Sequence, residues 1–94
     1  MDIIWGNVSE VQSTELLKLQ VTHQKDSNKE DYSDTENIQM KSVDIFSIPQ
    51  NPAERNLEVV KENLDGRFVK CEIESRDQNG NLIAIVSHSG QGGY

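Results

Sequence analysis

The stretch that most constrains this chain is residues 66–88, GRFVKCEIESRDQNGNLIAIVSH, two strand-like runs joined by a short polar turn. Val69, Cys71 and Ile73 alternate with Lys70, Glu72 and Glu74, the period-two pattern of a strand with one buried face. The turn Asp77-Gln78-Asn79-Gly80-Asn81 follows, in which Asn79-Gly80 supplies residues that tolerate positive φ at low cost. The return run, residues 82–86, is apolar at every position. Such a strand belongs in the middle of a sheet covered on both sides. The hairpin therefore calls for further strands and for something to cover its second face.

The remaining segments supply candidates. Residues 2–11, DIIWGNVSEV, predict a short strand around Ile3, Ile4 and Trp5, a break at Gly6-Asn7, and a second short element holding Val8 and Val11. Residues 15–23 alternate, with Leu17, Leu19, Val21 and His23 on one face, and read as a strand with His23 at the rim of the sheet. Residues 38–48 read as a third strand with a phase change. Ile38 and Met40 share one parity and Val43 and Ile45 the other, so a bulge near Ser42 is expected. A helix follows. Asn51 is placed to cap it, Pro52 suits its first position, Glu54 completes a capping box and Gly66 stops it. Ala53, Leu57, Val60 and Leu64 form its apolar stripe.

Two segments lack the apolar residues that ordering requires. Residues 24–37, QKDSNKEDYSDTEN, carry Tyr32 as their one sizeable partly apolar side chain and are expected to be a mobile acidic loop. The Gly-rich end, residues 89–94, is expected to be a flexible tail. Residues 1–88 then form a single α+β domain. It comprises an antiparallel sheet of about five strands, barrel-like if it curls, and one amphipathic helix, in the order three strands, helix, two strands. Either the sheet curls on itself or a second chain, in a homodimer or from another partner, covers the remaining face.

That order of elements resembles an OB-fold barrel, a family that binds single-stranded nucleic acid through aromatic and basic residues on its second and third strands. Here those strands carry Lys18, Lys41 and Phe46. Residues 68–88 are also similar to the closing hairpin of hot-dog thioesterases, without the long central helix of that fold. Gly92-Gly93 resembles the diglycine end of ubiquitin-like modifiers, with Tyr94 still to be removed.

Charge narrows the function. Sixteen acidic residues against nine basic ones give a formal net charge of -7. Binding to a phosphate backbone needs clustered Lys and Arg, so nucleic acid is a disfavoured partner. It would require folding to gather Lys18, Lys41, Lys61, Arg67 and Lys70. The single cysteine excludes an internal disulfide, and Cys71 lies on the inward parity of its strand as a small core residue. No basic n-region or long apolar run opens the chain, so neither a signal peptide nor a membrane span is expected, and the expected compartment is cytoplasmic.

No chemical motif stands out. Ser87-His88-Ser89 places hydroxyls beside a histidine, but neighbours on a strand point to opposite faces. His23, His88 and Cys71 lack the paired spacing of metal ligands. Asp26, Asn28 and Glu30 have the rhythm of a calcium loop without its glycine or its closing glutamate. No catalytic residue, metal or cofactor is assigned, and the chain is read as not an enzyme. The expected function is that of a small acidic protein-binding module: an inhibitor, an immunity protein or an accessory protein. Its expected contact residues are Asp26, Glu30, Asp31, Asp34 and Glu36 in the loop, with Glu72 and Glu74 on the outward face of the hairpin. The alternative is a binder of a small apolar ligand or a hot-dog-like thioesterase.

Overall fold

The computed structural model describes residues 1–45 and 48–88. Five strands, β1 (Asp2–Val11), β2 (Leu16–Gln24), β3 (Thr35–Asp44), β4 (Phe68–Arg76) and β5 (Leu82–His88), close into a barrel in the order β1-β2-β3-β5-β4. A 3-10 turn (Pro52–Glu54) and the helix α1 (Leu57–Leu64) lie between β3 and β4. This is the OB-like arrangement expected from the element order. Phe46 and the Gly-rich end, residues 89–94, lie outside the described residues.

One pairing departs from the antiparallel pattern: β3 and β5 run parallel. Closure makes this unavoidable. Strand directions cannot alternate all the way around a ring with an odd number of members, so at least one neighbouring pair must agree. The other four pairings are antiparallel. Closure accounts for the inner apolar face of β5 only. Leu82, Ala84 and Val86 are buried inside the barrel, while Ile83 and Ile85 point outward and are only partly covered.

β1 holds the ring together. It was expected as two short pieces broken at Gly6-Asn7, but it is one ten-residue strand with register shifts after Trp5 and after Val8. Gly6 pairs with Val21 of β2 and with Val69 of β4. A Cβ at Gly6 would collide with the Gln20 carbonyl oxygen. Gly6 therefore permits the close approach that lets one strand pair on both sides through a bulge. The bulge expected near Ser42 is present, with the shift in β3–β5 register falling between Met40 and Ser42.

The interior is filled by Ile4, Val8, Leu17, Leu19, Ile38 and Val69 with their neighbours, and Cys71 is fully buried among them. Burial pushes the Cys71 thiol up to about 12. Val60 and Leu64 close the end of the barrel where β1 finishes and β4 begins. The helix is shorter than its signals promised. Asn51 caps only the 3-10 turn, accepting from the Ala53 N–H at 3.1 Å, and Asn56 caps α1, accepting from the Glu58 N–H at 2.8 Å. Arg55 separates the two. Its side chain turns inward and donates to the carbonyls of Pro49 (2.8 Å) and Gln50 (3.0 Å). Only Val60 and Leu64 of the expected stripe are buried; Ala53 and Leu57 face solvent. Gly66 adopts a φ of 75° and ends the helix as expected. This eight-residue helix packs against β1 at one end of the barrel, unlike the long central helix of a hot-dog fold. Among the described residues no helix is long and apolar enough to cross a membrane.

Candidate functional site

The other end of the barrel gathers the start of β1, the connection at residues 25–34 and the β4–β5 turn at residues 77–81. The expected mobile loop is laced to the barrel, and both its flanks belong to strands, Gln24 to β2 and residues 35–37 to β3. The tether begins at Asp2. Its carboxylate accepts from the N–H groups of Lys29 (2.9 Å) and Glu30 (3.2 Å) and from the Tyr32 hydroxyl at 2.7 Å. The hydroxyl of Tyr32, then these backbone donors, hold the Asp2 carboxyl below the usual carboxylate range. Burial, reinforced by the bond to Asp2, raises the phenol of Tyr32 well above its ordinary value.

Asn28 acts as a further strand partner. Its amide oxygen accepts from the Ile3 N–H and its amide nitrogen donates to the Ile3 carbonyl, both at 2.8 Å. An Asn28 oxygen used in this way is not arranged as the cation ligand that the calcium-like rhythm suggested. The Gln24 side chain brackets Tyr32, donating to its carbonyl at 3.0 Å and accepting from its N–H at 3.1 Å.

Arg76 joins the loop to the hairpin turn. It donates to Glu30 at 2.8 Å, to Glu36 at 3.2 Å and to the Gly80 carbonyl at 2.8 Å. The hydrogen bonds that it donates to Glu36 and then to Glu30 raise the guanidinium pKa above its ordinary value. Glu36 is only 7% exposed, and its second carboxylate oxygen accepts from the Ser33 N–H at 2.9 Å. Gly80, with a φ of 85°, lets the turn bring its carbonyl to Arg76.

The seven carboxylates read from the sequence therefore divide into three groups. Glu30 and Glu36 are spent on Arg76. Glu74 pairs with Lys41 at 2.9 Å, and Glu72 pairs loosely with Lys70 at 3.8 Å, both on the barrel wall. Asp26, Asp31 and Asp34 stand exposed in the loop, and among the described residues none of them forms an ion pair. Of the residues that build this end, Asp2, Gln24 and Arg76 were not singled out in the sequence, and Asn28 stood out only as part of a calcium-like rhythm. Tyr32 carried a signal as the one large ring in a polar run.

A cleft of about 230 Å³ opens between the loop and β4, bordered by Asp2, Lys29, Glu30, Tyr32, Ile73 and Glu74. It is smaller than the roughly 300 Å³ at the low end of small-molecule sites, and its rim is mainly charged. Among the described residues no group of three or more His, Cys, Asp or Glu is arranged to hold a metal ion. Contrary to expectation, His23 does not share the inward face of Leu17, Leu19 and Val21: a bulge at Thr22 turns it outward beside Trp5, edge-on to Phe68 with ring centroids 6.1 Å apart. His23 and His88 do not lie on neighbouring strands, because β3 separates β2 from β5 on one side of the ring and β1 and β4 separate them on the other. No protein-family model, curated protein or solved structure matches the chain.

Proposed function

We propose that this chain is a non-enzymatic protein-binding module, of the inhibitor, immunity or accessory kind. It presents the loop at residues 25–34 to a basic surface on another protein. The observation that carries this reading is the lacing of the loop. Asp2, Asn28 and Arg76 hold the loop in place, while Asp26, Asp31 and Asp34 remain exposed and form no ion pair among the described residues. A loop ordered before binding loses less entropy when it docks. Carboxylates unpaired within the chain are available to steer and orient a basic partner.

The usual nucleic-acid face of an OB-like barrel lacks a cationic track. Lys18 and Lys41 are the only cations on the outward faces of β2 and β3, and Lys41 is engaged by Glu74. A small apolar ligand has no support either, since the barrel interior is occupied by its own side chains.

The test uses proteins that elute from immobilised DNA, which carry basic surfaces, as prey for the immobilised chain. The variant Asp26→Asn, Asp31→Asn, Asp34→Asn is expected to bind the captured protein about tenfold more weakly or worse, with a flatter salt dependence. Equal affinity and equal salt dependence for variant and wild type would overturn the reading.

A further inference from the structure

The outward face of β1, β4 and β5 differs in character from the rest of the surface. Cross-strand register sets Ile3, Glu72 and Ile85 in one row and Trp5, Lys70 and Ser87 in the next. Ile3, Phe68, Ile83 and Ile85 are only partly buried there, and Trp5 is covered without belonging to the core cluster. The charges in and beside these rows are Lys41 and Lys70 against Asp44, Glu72 and Glu74, a net of -1. Most of the formal net charge of -7 therefore lies elsewhere.

We infer that this wall is a self-association surface and that its occupant is a second copy of the chain. The argument is one of charge. Two copies of a chain this acidic repel wherever their acidic surfaces meet. The wall is a partly apolar surface on which they meet with a single net charge on each side. It is also self-complementary. In a twofold dimer the same patch is used by both copies, and β4 lies between β1 and β5 at its centre. An axis crossing the wall at the level of Cys71 sets Lys70 of each copy against Glu72 of the other. Within one chain these two side chains approach only to 3.8 Å, so each retains capacity for a second partner. Ile3 and Ile85 flank Glu72 and are covered when the walls meet. The barrel ends, with their free carboxylates, point away from the contact.

The test is solution mass by sedimentation velocity across a concentration series, with circular dichroism to confirm that each variant is folded. Wild type is expected to dimerise in the micromolar to hundred-micromolar range. Lys70→Glu and Glu72→Lys, each placing like charges together across the axis, are expected to weaken association about tenfold or more. An equimolar mixture of the two variants restores opposite charges at both contacts and is expected to recover the dimer, as is the double swap K70E/E72K. The inference is overturned if wild type stays monomeric at several hundred micromolar. It is equally overturned if the single reversals leave the dimer unchanged, or if neither the mixture nor the double swap recovers it.

Discussion

Lys41 and Glu74 are the unmatched bulge residues of β3 and β4, and their side chains meet on the outer side of β5 at 2.9 Å. Met40 and Ile73 both register with Ala84, after which one strand skips Lys41 and the other skips Glu74. The two bulges therefore face each other across β5, and the ion pair crosses that strand between Ile83 and Ile85. Each bulge also resets the parity of its strand, which allows Ile38, Met40 and Val43 all to point inward.

Deletions at Lys41 and at Gln39 should therefore differ sharply. The Lys41 side chain is 59% exposed, so Lys41→Ala is expected to cost no more than about 1 kcal/mol. Deleting Lys41 removes the extra residue and leaves Met40, Ser42 and Val43 in regular alternation opposite Ala84, Ile85 and Val86, so Val43 stays inward and the deletion is expected to be tolerated. Deleting Gln39 puts Ile38 and Met40 on opposite faces and is expected to abolish cooperative unfolding or lower stability several-fold more. Urea titration of the two deletion variants checks this, and equal effects would mean that the bulge does not set the parity of β3.

Gly6 faces a different constraint, since its φ is not positive and backbone strain plays no part. Space decides, because the missing Cβ would occupy the position of the Gln20 carbonyl. Gly6→Ala must push β2 away from β1 or distort the bulge, at an expected cost of about 3 kcal/mol. For a domain of this size that lowers the melting temperature by roughly 12 °C or more. A change within a degree would show that the barrel opens at this point without penalty.

The fold was legible to the extent that it depended on side-chain period. The β4–β5 hairpin, the β2 alternation as far as Val21 and the β3 phase change each follow from which residues are apolar, and each is present; the bulge that turns His23 outward is set by β1 and was not legible. What was not legible depended on distant partners. Gly6 looked like a strand break because its role lies in its neighbour's carbonyl. The helix was overextended because the inward turn of Arg55 toward the carbonyls of Pro49 and Gln50 leaves no local signature. Residues 25–34 looked loose because their tethers, Asp2 and Arg76, lie 28 and 46 positions from Glu30. Composition reports whether a segment can order itself, not whether another part of the chain orders it.

Arg76 offers a direct measure of that tethering. Arg76→Met keeps most of the side-chain volume but leaves the nearly buried Glu36 carboxylate without its cation. Loss of such a partner is expected to cost about 2 kcal/mol, less than for a fully buried pair because the arginine is one-third exposed. Hydrogen exchange at the Ser33 amide, which donates to Glu36, is expected to quicken along with it. Unchanged exchange at Ser33 would show that the loop is held without Arg76.

The Asp2–Tyr32 pair predicts opposite pH responses from its two members. Asp2 titrates lower in the folded chain than its reference value of 3.8. The unfolded chain therefore binds the proton first as pH falls, and stability drops below about pH 4. Tyr32 titrates higher than its reference value of 10.0. The unfolded chain then loses its proton first as pH rises, and stability drops above about pH 10. Asp2→Asn should flatten the acid limb of the stability profile, and Tyr32→Phe should flatten the alkaline limb. Chemical denaturation from pH 2 to 6 and from pH 9 to 11 separates the two. Identical limbs in wild type and variants would mean that the hydrogen bond between these side chains does not couple loop order to protonation. Because each variant removes one partner of the same 2.7 Å bond, the double variant should lose little beyond the larger single effect at neutral pH. Additive losses would instead show that Asp2 holds the loop mainly through the Lys29 and Glu30 amides.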